Sequence, residues 1–232
     1  MIEDIPGEPL LLAEVDVLRE LPQSELEYLA KRAPMVHLAE KESLTLGEYQ
    51  RGVFLLLSGR VRVYEPTTCG NQDLTFSVVK GGTVVGQPAS RPRPSRVEAL
   101  EASVLMVVGL EDFEGLVVRN PEVGLKTLRL FGERLHDYEG RLSSLIRKEV
   151  PARLAGLLLR LSEREDAMAG DGERRIPARY THRLLASMVG SNREAVTRAF
   201  GVLRKAGAVE TRERQIYLTD AAALAYFAEA VR

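Results

Sequence analysis

A single cysteine, Cys69, and three histidines are all that 232 residues offer for thiolate or imidazole chemistry. That excludes a disulfide framework and any cysteine cluster able to hold zinc or an iron–sulfur centre. His37, His136 and His182 are scattered without metal-ligand spacing, so each reads as a surface group or a satisfied polar contact, and no metal site is expected. Cys69 lies in "TTCGNQ" with no basic neighbour to lower its thiol pKa, which favours an inert turn residue over a redox handle. Long apolar runs are missing as well. "VFLLL" and "LAGLLLRL" fall far short of the roughly 20 residues that span a bilayer, and "MIEDIPGEPLLLAEVDVL" lacks the basic stretch of a signal peptide. A cytoplasmic protein with no membrane partner is the expectation.

Net charge is also small, −1, but unevenly spread. Residues 1–40 hold nine acids against three bases, whereas residues 176–215 hold eight bases against three acids. A basic C-terminal module is the footprint of a surface that meets phosphate backbones, although an ordinary charged surface looks similar.

With 45% hydrophobic residues the chain can bury a core in one or two domains. Residues 10–33 read as short helices. From Met35 to about Leu110, runs rich in Val, Leu, Phe and Thr alternate with Gly, Pro and Asn, the pattern of an antiparallel sandwich or barrel. A long helix follows Pro121. Leu128, Phe131, Leu135, Tyr138, Leu142 and Leu145 recur at alternating steps of three and four, a narrow a/d stripe that predicts a partner helix, most economically from a second copy. Pro151 is tolerated in the first turn of the next helix. "AMAGDGERR" reads as a polar loop, and "GAVETRERQIYLTD" as two strands around a charged turn.

Between them lies the segment most informative about function. Thr181 suits an N-cap before "HRLLASMVG", Gly190 ends that helix, and Asn192 caps a second one carrying Val196, Ala199, Phe200 and Leu203 at helical spacing. Two short helices across a tight glycine turn make a helix-turn-helix, whose second helix enters the DNA major groove. Arg193 and Arg198 can each reach guanine O6 and N7, and Glu194 can accept from cytosine N4. Thr181, His182, Arg183, Asn192 and Thr197 are placed for positioning contacts to phosphates, with Arg212 and Arg214 in the turn of a wing. Solvated surface salt bridging is the competing explanation for the charged residues.

With these features in order, the sequence resembles the CRP/FNR family of bacterial transcription regulators along nearly its whole length. The resemblance rests on "VFLLLSGRVRVY" and "GGTVVGQ", then the heptad helix, then "HRLLASMVGSNREAVTRAFGVLRKAGAVE". The family's R-E-x-V-x-R pattern is carried by Arg193, Glu194, Val196 and Arg198. It implies an α+β chain: a cyclic-nucleotide-binding-like β jelly-roll over residues 1–120, a dimerisation helix over 121–148, and a winged helix-turn-helix over 149–232. It also implies a homodimer on double-stranded DNA with a two-fold symmetric operator, half-sites of the TGTGA type, and contact with RNA polymerase through the "AMAGDGERR" loop.

The resemblance weakens at the effector pocket. Cyclic-AMP-binding members carry G-E-L and then R-S-A or R-T-A; here the matching stretches are "GQP" (Gly86, Gln87, Pro88) and "RPS" (Arg93, Pro94, Ser95). Gln87 lacks the carboxylate that holds the ribose hydroxyl, and Pro94 has no N–H for the phosphate. Arg93 keeps a phosphate ion pair available, while Arg134 and Tyr138 complete the candidate pocket from the long helix. Tyr138 and Glu139 stand where those members reach adenine with hydroxyl residues. Cyclic AMP therefore has an incomplete signature, and the sequence leaves three possibilities: cyclic AMP, another effector, or none. The single cysteine rules out an FNR-type cluster, and the histidines supply no haem ligand pattern.

Two readings compete with a DNA-binding activator. A cupin-like barrel enzyme needs a His/Glu metal set, yet only His37 lies in the β region, and no nucleophile–base pair or phosphate loop is present. A cyclic-nucleotide-binding module acting on a protein partner leaves the basic C-terminal segment unexplained. The expectation is a non-enzyme.

Overall fold

The computed structural model describes residues 2–3, 9–46, 52–67, 73–85, 95–164, 174–176 and 179–230. The chain divides into two compact units, Met1–Leu135 and His136–Arg232.

The first unit is a two-sheet antiparallel sandwich with helices on one side. One sheet has the order β1-β2-β9-β4-β7, where β1 is Ile2–Glu3, β2 Met35–Leu38, β4 Gly52–Ser58, β7 Thr83–Val85 and β9 Ser103–Gly109. The other has the order β3-β8-β5-β6, where β3 is Ser43–Thr45, β5 Arg60–Glu65, β6 Leu74–Lys80 and β8 Arg96–Ala99. Strand alternation explains the unbroken apolar texture of "VFLLL". Phe54 and Leu56 face the core between the sheets with Val61, Val63, Val97 and Leu105. Val53, Leu55 and Leu57 face the opposite way, into a second core. There they meet Leu12, Leu18 and Leu29 from the N-terminal helices α1 (Pro9–Ala13) and α2 (Gln23–Arg32) and the intervening turns. Phe113 and Leu116 of α3 (Leu110–Arg119) complete it. A strand buried on both faces needs no polar alternation. The stretch "VHLAEKESLTL" splits into β2 and β3 because Lys41 takes a positive φ of 70° in a turn, where Glu42 Oε2 accepts from Ala39 N at 2.9 Å.

Helix α4 runs Pro121–Arg147, and the division between the units falls within it. The second unit continues with α5 (Val150–Arg164), β10 (Arg174–Ile176), α6 (His182–Val189), α7 (Arg193–Lys205), β11 (Val209–Arg212), β12 (Gln215–Leu218) and α8 (Ala221–Glu229). Its sheet has the order β10-β12-β11. Leu154, Leu158, Ile176, Leu185, Val196, Leu203 and Leu224 form its fully buried interior. Two elements here go beyond the sequence expectation. Arg174 and Arg175, read as loop, pair with Leu218 and Tyr217 as part of β10, and a terminal helix α8 follows the hairpin.

Candidate nucleic-acid interface

Local chemistry builds the two-helix unit. Thr181 Oγ1 accepts from Leu184 N at 3.1 Å and starts α6. Gly190 closes it in the left-handed region, φ 60° and ψ 51°, where a side chain would be strained. A Cβ there would also come within 2.9 Å of Leu145 Cδ2. Asn192 Oδ1 then accepts from Ala195 N at 2.7 Å and starts α7. Each cap satisfies a backbone donor that the helix itself leaves orphaned.

Helical periodicity sorts the side chains of α7. Val196, Ala199, Phe200 and Leu203 are buried, which turns Arg193, Glu194, Thr197 and Arg198 to the surface. Glu194 and Arg198 stand four residues apart, the ordinary spacing for a helical ion pair. They form none. Among the described residues the side chains of Arg193, Glu194 and Arg198 make no hydrogen bond or ion pair. Local salt bridging therefore does not account for them.

The residues expected to position phosphates separate into two groups. Arg183 and Arg214 are exposed and unpaired among the described residues. The others already have work inside the chain. Thr181 and Asn192 cap helices, and His182 Nδ1 lies 2.9 Å from Thr197 Oγ1, which donates to Arg193 O. Arg212 donates to Glu210 Oε2 at 2.7 Å and stacks 4.9 Å from the Tyr217 ring. The β11–β12 hairpin turns through Glu213 and Arg214, both at positive φ (51° and 66°), as a two-residue primed turn requires. Arg214 thus sits at the tip of the wing.

Sequence periodicity placed the α4 stripe slightly off the exposed face. Leu128, Leu135 and Leu142 are exposed, whereas Phe131 packs against the core of its own unit and Tyr138 is half-buried. Leu145, 40% exposed, lies against Gly190. Leu125 and Ile146, outside the a/d pattern, are exposed instead, Ile146 by 73%. The exposed row runs Leu125, Leu128, Leu135, Leu142, Ile146. An alternation of three and four fits either rotation of the helix, and the core of the first unit claims Phe131.

Of the candidate effector pocket, Gly86, Gln87 and Arg93 lie outside the described residues, as does Cys69. Ser95 is buried and its carbonyl accepts from Leu46 N at 3.0 Å. Arg134 donates from Nη2 to Val84 O at 2.6 Å and to Thr83 Oγ1 at 3.3 Å. Among the described residues no three His, Cys, Asp or Glu side chains gather to hold a metal, and no helix is long and apolar enough to cross a membrane.

Residues 152–227 match the family described as a Crp-like helix-turn-helix domain, and residues 39–120 match the cyclic nucleotide-binding domain. The chain is 31% identical over 197 residues to the transcriptional regulator LdrP of Thermus thermophilus, covering 82% of this chain and 94% of that one. It is 22% identical to a CRP-like cAMP-activated global transcriptional regulator of Mycobacterium tuberculosis, over 93% and 97% of the two chains. The structure of a CRP-family transcriptional regulator, also from Thermus thermophilus, superposes with a TM-score of 0.67 at 26% identity, over 84% of this chain and 97% of that one. A mutant of CooA from Carboxydothermus hydrogenoformans superposes with a TM-score of 0.77 at 22% identity, over 92% and 94%, a likeness of fold.

Proposed function

The chain belongs to the CRP/FNR family of transcription regulators, and on that premise we propose that it is a homodimeric, sequence-specific DNA-binding activator that works without cyclic AMP. In this reading residues 1–120 form a sensor-like domain, 121–148 the dimerisation helix and 149–232 the DNA-binding domain. The observation that carries the reading is the face of α7. Three charged side chains leave a helix whose other side is buried, and none is consumed within the described chain.

The mechanism follows from that face. Arg193 and Arg198 donate to guanine edges in the major groove and Glu194 accepts from a cytosine amine, each good contact discriminating by about 1–3 kcal/mol. Arg183 and Arg214 meet phosphates and set orientation without choosing sequence. The exposed Leu125–Ile146 row of α4 joins two copies, so that two α7 helices address half-sites about one helical turn apart. Contact with RNA polymerase is assigned to the "AMAGDGERR" loop, whose residues 167–173 lie outside the described residues.

The effector assignment rests on the chemistry present. The Mycobacterium relative is named as cAMP-activated, but this chain has Gln87 and Pro94 where the nucleotide's sugar and phosphate need a carboxylate and an N–H. Arg134 engages Val84 and Thr83 through its Nη2. Arg93 keeps its phosphate pairing, but the sugar carboxylate and the second phosphate donor are missing, so the fit to cyclic AMP is incomplete.

The test is a selection from random-sequence duplexes with protein stripped of small molecules, with and without cyclic AMP. Enrichment of one two-fold symmetric site to the same degree in both arms is expected. Strong stimulation by cyclic AMP would overturn the ligand-independent part, and failure to enrich any site would overturn DNA reading. On the selected site, Arg198→Ala should remove discrimination at one base pair per half-site while salt-sensitive nonspecific binding persists; an unchanged preference would remove Arg198 from the reading set.

A further inference from the structure

The last turns of α4 carry a second working face beside the exposed leucine row. Arg141, Leu145 and the following Lys148 recur at steps of four and three, which places them on one side of the helix and its end. Each makes a contact within the second unit. Arg141 Nη2 donates to Met188 O at 2.6 Å, in the last turn of α6. Leu145 packs against Gly190, the left-handed residue of the turn between α6 and α7. Lys148 Nζ donates to Ala228 O, in the last turn of α8.

Two of these contacts have the same logic. The last carbonyls of a helix have no partner inside it and form the negative end of its dipole, so a cationic donor is the favoured cap. Arg141 caps α6 and Lys148 caps α8. Leu145 adds an apolar contact: its Cδ2 lies where a Cβ on Gly190 would come within 2.9 Å. Arg141 and Leu145 therefore hold the end of α6 and the turn in front of α7 against one rotation of α4, while Lys148 ties the end of the same helix to α8.

We propose that Arg141 is a positioning residue that sets which half-site spacing the protein accepts. The inference rests on the dimeric, DNA-reading function proposed above. In that dimer the exposed row, including Leu142 and Ile146, meets the second copy. The adjacent face holds the protomer's own reading module. The separation and phase of the two α7 helices then depend on how firmly each α4 grips its α6–α7 turn. Adding one base pair between half-sites moves them apart by about 3.4 Å and rotates them by about 35°. A rigid grip rejects that displacement, and a loose one absorbs it.

The experiment uses full-length protein and the site selected by the wild type. Duplexes carry the natural spacing, one base pair more, one fewer, or a single half-site. Wild type should lose about tenfold or more in affinity when the spacing changes, the scale of a mismatched contact. Arg141→Met should reduce that loss below about threefold and leave base preference on the single half-site unchanged. Arg141→Lys, which keeps a cationic donor, should retain most of the spacing preference. If Arg141→Met melts before the assay, Arg141→Gln replaces it, since its shorter amide withdraws from Met188 but remains polar. A folded variant that discriminates spacing as the wild type does would overturn the proposal. So would one that loses half-site preference in parallel, because Arg141 would then be general structural support. Wild type that shows no sequence preference at all would instead bring down the DNA-reading function beneath it.

Discussion

His182 stands half-buried at the head of α6, with its ring 5.3 Å from Phe200 and its Nδ1 against Thr197 Oγ1. Because that hydroxyl donates onward to Arg193 O, Nδ1 must be the donor in the contact, which fixes the neutral tautomer with the proton on Nδ1. Burial first, and then the Arg193 charge, hold the imidazole below its ordinary value of 6.5. The unfolded chain therefore takes up this proton before the folded one does. Stability from this site is complete above about pH 6.5 and is lost as pH falls below it, through the lower folded value. Urea denaturation at pH 7.5 and 5.5 should show the wild type losing more stability on acidification than His182→Gln. Equal losses would exclude His182 as the titrating group. The capping residues Thr181 and Asn192 were legible in the sequence because a cap acts over three residues. The His182–Thr197 contact spans 15 residues and two helices, and no local pattern announces it.

At the scale of elements, α7 contains a residue that its own fold does not require. A Cβ at Gly201 would meet nothing within 4 Å, and its φ is not in the left-handed region. Gly201→Ala should raise stability by about 0.5–1 kcal/mol, read as a higher denaturation midpoint. No gain would mean that the glycine relieves a strain not visible in its surroundings. For α4 the exposed row leads to a different expectation. Leu135, 59% exposed, lies at its middle, so Leu135→Asp should yield monomers by sedimentation velocity while helical circular dichroism is retained; a persistent dimer would move the seam elsewhere. The rotation of α4 was not legible, since Phe131 satisfies the a/d spacing equally well whether it faces a partner or its own core. Nor was α8. Its "AAALAYFAE" is apolar on nearly every side and has no 3.6-residue contrast to detect. β10 stayed hidden because Arg174 and Arg175 join their sheet through backbone bonds alone, under charged side chains.

For the whole molecule, an acidic N-terminal segment and a basic C-terminal module put the local excess of positive charge near the C-terminal end of the sequence. In the dimer proposed above, each phosphate contact made by one protomer occurs twice on a symmetric operator. Arg183→Ala should thus lower the slope of log affinity against log salt by about two, with base preference intact. A change near zero would place Arg183 away from the backbone. The sandwich order and the helix-turn-helix were both legible in outline, because alternation, turn residues and caps are local signals that the tertiary packing then reinforces. The sheet order also carries a consequence for solubility. In the sheet that packs against the helices, the outermost strands are β1, of two residues, and β7, of three. In the other sheet β3 is equally short, which leaves seven-residue β6 as the one long edge among the described strands. Unpaired edge groups invite another chain to add a strand, and short edges offer too few of them to hold one. If this protein associates out of register under stress, β6 is where the first foreign strand will dock, and a lysine placed at Ser77 or Val78 is the simplest guard against it.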